Sequence, residues 1–452
     1  MPPGYGVVVY SLVILGLFWL DHDRKARTSG ALWLAVTWLS LSGSRSVAQW
    51  LDVGQSASID SMTEGSPLDR VVYLSLIIVA LVVLARRRET KQFIAANLPI
   101  VFFFVYCAIS LLWSDYPDVA FKRWTKAFGD FAMILLVLSD RNRLGAIKRL
   151  LSRSAFLLIP ISILVIKYYP DLGRGYSRWE GTTFYNGVAT TKNSLGMICL
   201  LFGLGALWRL FTDSRMGMRI AGRRQLLAQA SLFAMTVWLC WVANSMTSLW
   251  CLMLGGTLLT LTTFVPSVRR PIVLHLVVAA IVLVPFSTLF LGVGEELTRS
   301  ATNRDITTLT DRTEIWKVTL SLAGNSLCGT GFESFWLGPR LQRMWSLYWW
   351  HPTQTHNGYL EVFLNLGWIG VAMLAVVIAT GYRTVTSAVQ REVPGSALML
   401  TLFAVGIIYN FTEAAFFRMM TPAWILFLLA ITKVPRLDQS VSQVAERSHK
   451  VV

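Results

Sequence analysis

Charged residues are scarce in this chain, at 15% of its 452 residues, whereas hydrophobic residues make up 54%. Together with a mean hydropathy of +0.54, this composition excludes a soluble domain and indicates a membrane protein with many helices. Cysteine is scarce too. Four of the five cysteines lie in apolar segments, so neither a disulfide framework nor a thiolate metal site is indicated.

Several motifs are also missing. No glycine-rich phosphate loop follows a strand pattern, which argues against a cytosolic domain that uses ATP. We find no internal repeat of the kind that builds alternating-access transporters, and no acidic cluster that predicts a metal ion, so no cofactor is expected. The first apolar segment lacks a basic start and a small-residue cleavage site, and we expect it to remain as a first span.

Apolar segments long enough to cross about 30 Å of hydrocarbon recur along the chain. They lie near residues 5–20, 31–48, 71–85, 95–113, 124–139, 151–168, 193–211, 226–244, 246–265, 271–291, 357–381, 396–411 and 420–433. The predicted fold class is therefore an all-α polytopic membrane protein with about 12–13 transmembrane helices.

The loops between these segments alternate in charge. One set is rich in Lys and Arg, as at residues 86–88 and 141–149, while the other carries acids or little charge. Because cytoplasmic loops carry the excess of Lys and Arg, the N-terminus is expected outside and the C-terminus inside. This rule accounts for much of the net charge of +16. Membrane lipid is therefore the expected partner of these cations, and nucleic acid is not.

Two outer loops break the charge rule. The first spans residues 167–192 and contains Arg174, Arg178 and Lys192. The second is long and runs from about residue 292 to 356. Cations on the outer side suggest an anionic ligand such as a pyrophosphate, with lipid headgroups as the alternative for any single residue.

These loops suggest a division of the chain into four parts. They are N-terminal transmembrane helices (1–291), a long periplasmic loop (292–356), C-terminal transmembrane helices (357–433) and a cytoplasmic tail (434–452). His356 stands where the long loop enters an apolar helix, and a histidine at the water-facing mouth of a helix is a candidate for proton transfer. The alternative is that it merely caps that helix.

Four stretches together resemble a known family. They are Trp113-Ser114-Asp115-Tyr116-Pro117 with Lys122-Arg123-Trp124, Thr191-Lys192-Asn193-Ser194-Leu195-Gly196, Asp311-Arg312-Thr313-Glu314-Ile315-Trp316, and His356-Asn357 followed after nine residues by Gly367-Trp368-Ile369-Gly370. In this order on one membrane face, they resemble the superfamily of O-antigen ligases and polysaccharide polymerases.

The resemblance implies a glycosyltransferase of GT-C-like architecture in the bacterial inner membrane, with its active site facing the periplasm. The implied donor is an oligosaccharide linked to undecaprenyl pyrophosphate, and the implied acceptor is a glycan or a lipid A core. The reaction would be inverting and metal-independent. Other polysaccharide-assembly proteins are implied as further partners in building O-antigen, lipopolysaccharide or exopolysaccharide.

Chemistry then assigns expected roles to single residues. Arg312 is expected to hold the departing pyrophosphate, because a guanidinium stays charged and matches phosphate oxygens. Local salt bridges with Asp311 and Glu314 are the alternative for it. The expected helpers are Lys192, Arg174 and Arg178.

His356 is expected to act as the base, because an imidazole has an ordinary pKa of about 6.5. Asn357 or Glu361 would orient it or the acceptor. Glu413, at an outer helix end, either helps bind the acceptor or pairs with Arg418.

Alternatives remain open at this stage. Family members often carry a Ser-Arg pair at a short outer turn where this chain has Ser245-Met246, so ligase and polymerase stand on equal terms. A transporter or flippase of lipid-linked oligosaccharides would require ionisable residues deep within several helices, whereas the predicted span interiors are almost wholly apolar. A non-catalytic scaffold of a polysaccharide machine is the third reading.

Overall fold

The computed structural model describes residues 3–23, 27–52, 65–176, 181–215, 220–291 and 307–435. The helices are α1 (Pro3–Leu20), α2 (Leu32–Ser42), α3 (Val47–Trp50), α4 (Pro67–Arg86), α5 (Thr90–Ala96), α6 (Leu98–Ile109), α7 (Pro117–Leu138), α8 (Arg143–Tyr168), α9 (Pro170–Gly173), α10 (Lys192–Arg215), α11 (Ile220–Ala243), α12 (Met246–Phe264), α13 (Pro271–Leu291), α14 (Thr307–Ser321), α15 (Gly338–Leu347), α16 (Gly358–Gln390), α17 (Ser396–Tyr409) and α18 (Pro422–Ile431). Two strands, β1 (Arg174–Tyr176) and β2 (Thr183–Tyr185), pair antiparallel.

The helices identify a polytopic membrane protein. Within the described ranges, eight helices are long and apolar enough to cross a membrane, and α5 with α6, bent by 86°, make a ninth if they are taken as one span. The count of 12–13 from the sequence is larger for two reasons. Helices α2, α17 and α18 are short, and α7 carries several charged residues in its first half. Each predicted apolar segment nevertheless contains a helix.

Polar contacts between loops collect at two ends of the helical bundle. At one, which we call the basic end, the ion pairs are Arg143 with Glu89, Lys148 with Asp213, and Arg269 with Glu392. At the other, which we call the site end, Arg340 forms an ion pair with Asp115. Ser114 is hydrogen-bonded to Ser334, and Asn193 to Glu413. Each set of contacts joins segments that the charge pattern assigns to the same side of the membrane. This supports the predicted alternation of the loops between the two sides.

The prediction that span interiors are almost wholly apolar is wrong at three positions. Asp130 in α7 is fully buried and accepts hydrogen bonds from the Trp38 indole at 2.7 Å and from the Met420 amide at 3.1 Å. In α10, Arg209 and Asp213 are buried and form an ion pair at 2.9 Å. Buried charges must be paired or hydrogen-bonded, and these satisfy that need by tying elements of the fold together.

Helix α16 is broken at Gly367, whose backbone has φ 64° and ψ −165°. The loop segment 325–331 packs against this break, and the Trp368 amide donates to the Ser326 carbonyl at 2.9 Å. A Cβ at position 367 would lie 2.2 Å from the carbonyl oxygen of Leu327. The first glycine of the Gly-x-x-Gly pair is therefore the point where the long loop is held against the transmembrane helix.

Candidate active site

Glu413 is the centre of a polar cluster at the site end. Its side chain is only 8% exposed. Oxygen Oε1 accepts a hydrogen bond from Asn193 Nδ2 at 2.9 Å, and Oε2 lies 3.1 Å from His356 Nδ1. Arg312 Nη2 lies 3.8 Å from Oε1. Four segments that are far apart in the sequence thus meet at one carboxylate.

Arg312 lies in α14, within the long loop, and its side chain is partly exposed. Nη1 donates to the Thr412 carbonyl at 2.7 Å, and the Thr412 hydroxyl contacts that of Thr247 at 3.2 Å. Thr247 follows Met246, so the outer turn that differs from the family pattern also reaches this cluster. A guanidinium has five N–H donors. One strong bond and one long ion pair leave donors on Arg312 that can bind an anion.

His356 is oriented through one ring nitrogen. Nδ1 lies 3.1 Å from Glu413 Oε2 and 3.3 Å from Gln354 Nε2. One Nδ1 cannot donate to the carboxylate and accept from the amide at once. The shorter, charge-assisted contact favours a proton on Nδ1 that points to Glu413. This tautomer makes Nε2 the acceptor, and it gives the arrangement of an acid, an oriented histidine and a free basic nitrogen.

The backbone around His356 is fixed by the start of α16 and by the loop after α17. Asn357 caps α16, and its Oδ1 accepts from the second and third following amides at 3.0 and 3.1 Å. The Gly358 amide donates to the Asn410 carbonyl at 2.9 Å, and a Cβ on Gly358 would lie 1.9 Å from Asn410 Oδ1. The side-chain oxygen of Asn357 is thus used for capping, and only glycine fits at position 358.

Glu361 contacts the neighbours of His356 rather than its ring. The carboxylate accepts from the Thr355 amide at 2.6 Å and from the Trp336 indole at 3.0 Å. Glu361 therefore braces the residue before the histidine. The role of Glu361 in orienting the histidine or the acceptor stays a prediction.

Arg418 belongs to the same cluster, but its partner differs from the sequence alternative. It donates to Oε1 of Gln354, whereas Glu413 binds His356 and Arg312. The pairing of Glu413 with Arg418 is therefore wrong in this structure. The backbone reverses at Phe417, which has φ 54°, and this turn carries the two charged side chains to different partners.

The cations of loop 167–192 have different surroundings. Arg174 Nε donates to the Ile166 carbonyl at 2.9 Å, and its guanidinium lies 5.9 Å from the centroid of the Tyr185 ring. Lys192 is exposed at the start of α10, next to Asn193 of the cluster. Arg178 lies outside the described residues. Of the two predicted helpers that the structure describes, Lys192 is the one whose neighbour joins the site.

Two contributors were missed in the sequence, Asn193 and Gln354. Both are neutral amides, and a pattern of charges does not point to them. The available signal for Asn193 was its position directly after Lys192 in a stretch that already resembled the family. Within the described part of the chain, no group of three or more His, Cys, Asp or Glu side chains is arranged to hold a metal ion.

The fold and this cluster define a multi-pass membrane protein with an oriented histidine and a cation at one end of its helices. Residues 230–375 match a family model described as O-antigen ligase, so this part of the chain is similar to that family. The resemblance drawn from the sequence is confirmed. The match contains Arg312 and His356, while Asn193 and Glu413 lie outside it.

Two further comparisons extend the likeness. Residues 59–170 match a family of unknown function. The chain is 23% identical over 312 residues to the exopolysaccharide production protein ExoQ of Rhizobium meliloti (strain 1021), and the alignment covers 66% of this chain and 68% of that protein. The chain is therefore similar to a protein of exopolysaccharide production over most of its length.

Proposed function

We propose that this protein is an inverting glycosyltransferase that transfers or polymerises glycan from a polyprenyl-pyrophosphate carrier. The observation that carries the proposal is the Glu413–His356 pair, at 3.1 Å, with Arg312 beside it at the mouth of the helices. The site would face the periplasm from the bacterial inner membrane. On this proposal the chain makes about 12–13 crossings of GT-C-like architecture, and residues 292–356 form a long periplasmic loop.

The transfer reaction requires the site to activate the acceptor, to stabilise the leaving group and to orient the base. Nε2 of His356 takes the proton of an acceptor hydroxyl as its oxygen bonds to the anomeric carbon. The bond from that carbon to the phosphate oxygen breaks, and the electron pair leaves with the pyrophosphate. Arg312 stabilises the charge on this leaving group, while Glu413 holds the imidazole in the right tautomer and stabilises the imidazolium. A single displacement of this kind inverts the anomeric centre.

The competing transporter reading is less well supported. A transporter requires ionisable residues within its helices, and the buried residues of this kind are Asp130, Arg209 and Asp213 among those described above. Each of them is already bonded to protein groups in the described structure. Residues that are satisfied in this way serve packing, whereas a transport pathway requires polar groups that face a passage.

Deletion and complementation test the function. We expect a deletion strain to lose long polysaccharide and the wild-type gene to restore it, as seen on gels of lipopolysaccharide and of sized exopolysaccharide. Single repeats that remain without long chains indicate a polymerase. Rough lipopolysaccharide with polymer still on its carrier indicates a ligase, which the family description favours. Unchanged profiles of both polymers contradict the proposal.

Arg312→Ala should weaken binding of a polyprenyl-pyrophosphate analogue by about tenfold to a hundredfold, because a hydrogen bond to a charged group contributes roughly 1.5–3 kcal/mol. Binding would be measured on the purified protein in lipid nanodiscs. The matched control is Arg343→Ala, an exposed arginine of α15 in the same loop. Its affinity should stay close to that of the wild type. Equal losses in both variants would indicate diffuse electrostatic attraction instead of a site.

A further inference from the structure

A cavity of about 240 Å³ lies beside the Glu413 cluster, and Arg418 of that cluster is one of its lining residues. It is bounded by the first half of α16, the start of α7, the loop around residue 333 and the loop after α17. Its polar lining residues include Arg123, Glu333, Trp336, Glu361 and Arg418. We call it the side cavity. Neither Arg312 nor Glu413 is among the described residues that line the side cavity.

The wall of the side cavity is connected to the histidine by short contacts. Arg418 donates to Gln354, whose amide nitrogen lies 3.3 Å from His356 Nδ1. Glu361 accepts from the amide of Thr355, the residue directly before the histidine. The side cavity is thus connected to the proposed base through the Gln354 side chain and through the backbone of Thr355.

The charge of the lining decides which part of the substrates fits there. Two guanidinium groups are balanced by two carboxylates, those of Glu333 and Glu361. Carboxylates accept hydrogen bonds only and repel phosphate oxygens, so a pyrophosphate is disfavoured. Sugar hydroxyls donate to carboxylates and accept from guanidinium groups, which makes an uncharged sugar ring the matching ligand.

Two local features prepare the wall for such a ligand. The Trp336 indole donates to Glu361 at 3.0 Å, which fixes an aromatic ring beside the carboxylate, and apolar sugar faces pack against aromatic surfaces. Glu333 has φ 52°, a backbone conformation that costs energy for a non-glycine residue and is found at functional sites. Its carboxylate is 4.0 Å from Arg123 Nη1, too far for a hydrogen bond, so its oxygens can accept from a ligand.

We infer that the side cavity binds the uncharged terminal sugar ring of the acceptor, with Glu333, Trp336 and Arg418 as residues that determine its specificity. This inference rests on the proposed function for the name of the ligand, while the diphosphate of the donor stays with Arg312. The terminal ring of the acceptor and the diphosphate of the donor then occupy different places near one base.

Binding of simple sugars tests the inference without any transfer reaction. Saturation-transfer NMR would compare a neutral methyl hexoside with the methyl glycoside of a uronic acid, on the full-length protein in nanodiscs. We expect a signal from the neutral glycoside, which falls severalfold in Glu333→Gln and Trp336→Ala. It should be unchanged in the matched control Glu314→Gln, an exposed glutamate of α14. A preference for the uronic acid, or equal signals in wild type and Glu333→Gln, overturns the inference.

Kinetics provide a second readout if transfer is observed. Glu333→Gln should raise the KM for the acceptor by about tenfold, as expected for a lost hydrogen bond to a charged group. The KM for the carrier-linked donor should stay within about twofold of the wild type. A change in the donor KM instead would contradict the assignment. A wild-type protein that binds the neutral glycoside but transfers nothing would contradict the proposed function and leave the sugar site standing.

Discussion

His356→Ala is expected to lower glycan transfer by about 10²- to 10⁴-fold, the usual contribution of a positioned general base. The ring contacts Glu413 through Nδ1 at 3.1 Å, which leaves Nε2 as the nitrogen that can accept a proton. Alanine removes this nitrogen at a side chain that is 30% exposed, so little packing is lost. The measurement is polymer or ligated product in the complemented deletion strain, at a protein level matched by immunoblot.

The matched control for this variant is His351→Ala. His351 is in the same loop, and its ring stacks on Trp345 with a centroid distance of 4.6 Å. The variant therefore tests whether loss of any histidine from this loop is enough to lower glycan transfer. We expect near wild-type product from it. Full product from His356→Ala would remove this histidine from the mechanism, and it would favour a scaffold role if Arg312→Ala were silent as well.

Glu413→Gln should lower transfer less severely and change its pH profile. An amide retains the shape of the carboxylate, but it has no charge to stabilise the imidazolium that forms when Nε2 takes a proton. Asn193 can still donate to the amide oxygen, as it does to Oε1 at 2.9 Å in the wild type, so the fold should be retained. An unchanged pH profile with reduced product would point to a purely structural role for Glu413.

Gly367→Ala is expected to cause a large loss of folded protein, larger than for any other substitution proposed here. The backbone has φ 64° and ψ −165°, a region that is almost restricted to glycine and costs about 1–3 kcal/mol for other residues. The added Cβ would also lie 2.2 Å from the Leu327 carbonyl oxygen. Relief of this contact requires separation of segment 325–331 from α16. The measurement is the yield of monodisperse protein in detergent and its thermal unfolding midpoint.

A helical glycine gives the matched control. Gly256 lies within α12, and a Cβ there would meet its nearest neighbour, a carbon of Leu207, at an ordinary distance of 3.6 Å. Gly256→Ala should therefore be neutral or slightly stabilising, because alanine is favoured over glycine in a helix by about 1 kcal/mol. If both variants lowered the yield equally, the effect would stem from membrane insertion of glycine-substituted chains rather than from the break at position 367.

The sequence predicted much of the fold for physical reasons that act locally. Hydrocarbon thickness sets the length of apolar segments, and each of the predicted segments contains a helix. The number of crossings was harder to predict, because α17 and α18 are short and the first half of α7 is charged. Asp130 has its partners in α2 and in the loop before α18, and no local pattern reveals such distant neighbours.

The sequence by itself determined the class of protein, the alternation of its loops and the chemical types in the site, because hydropathy, charge and the intrinsic reactivity of His356 and Arg312 belong to the residues themselves. Only the tertiary structure decided the partners. Asn193 and Glu413 are 220 positions apart, and packing of their helices brings the side chains together. It also placed Arg418 on Gln354 and formed the side cavity, since a cavity exists only where several segments meet.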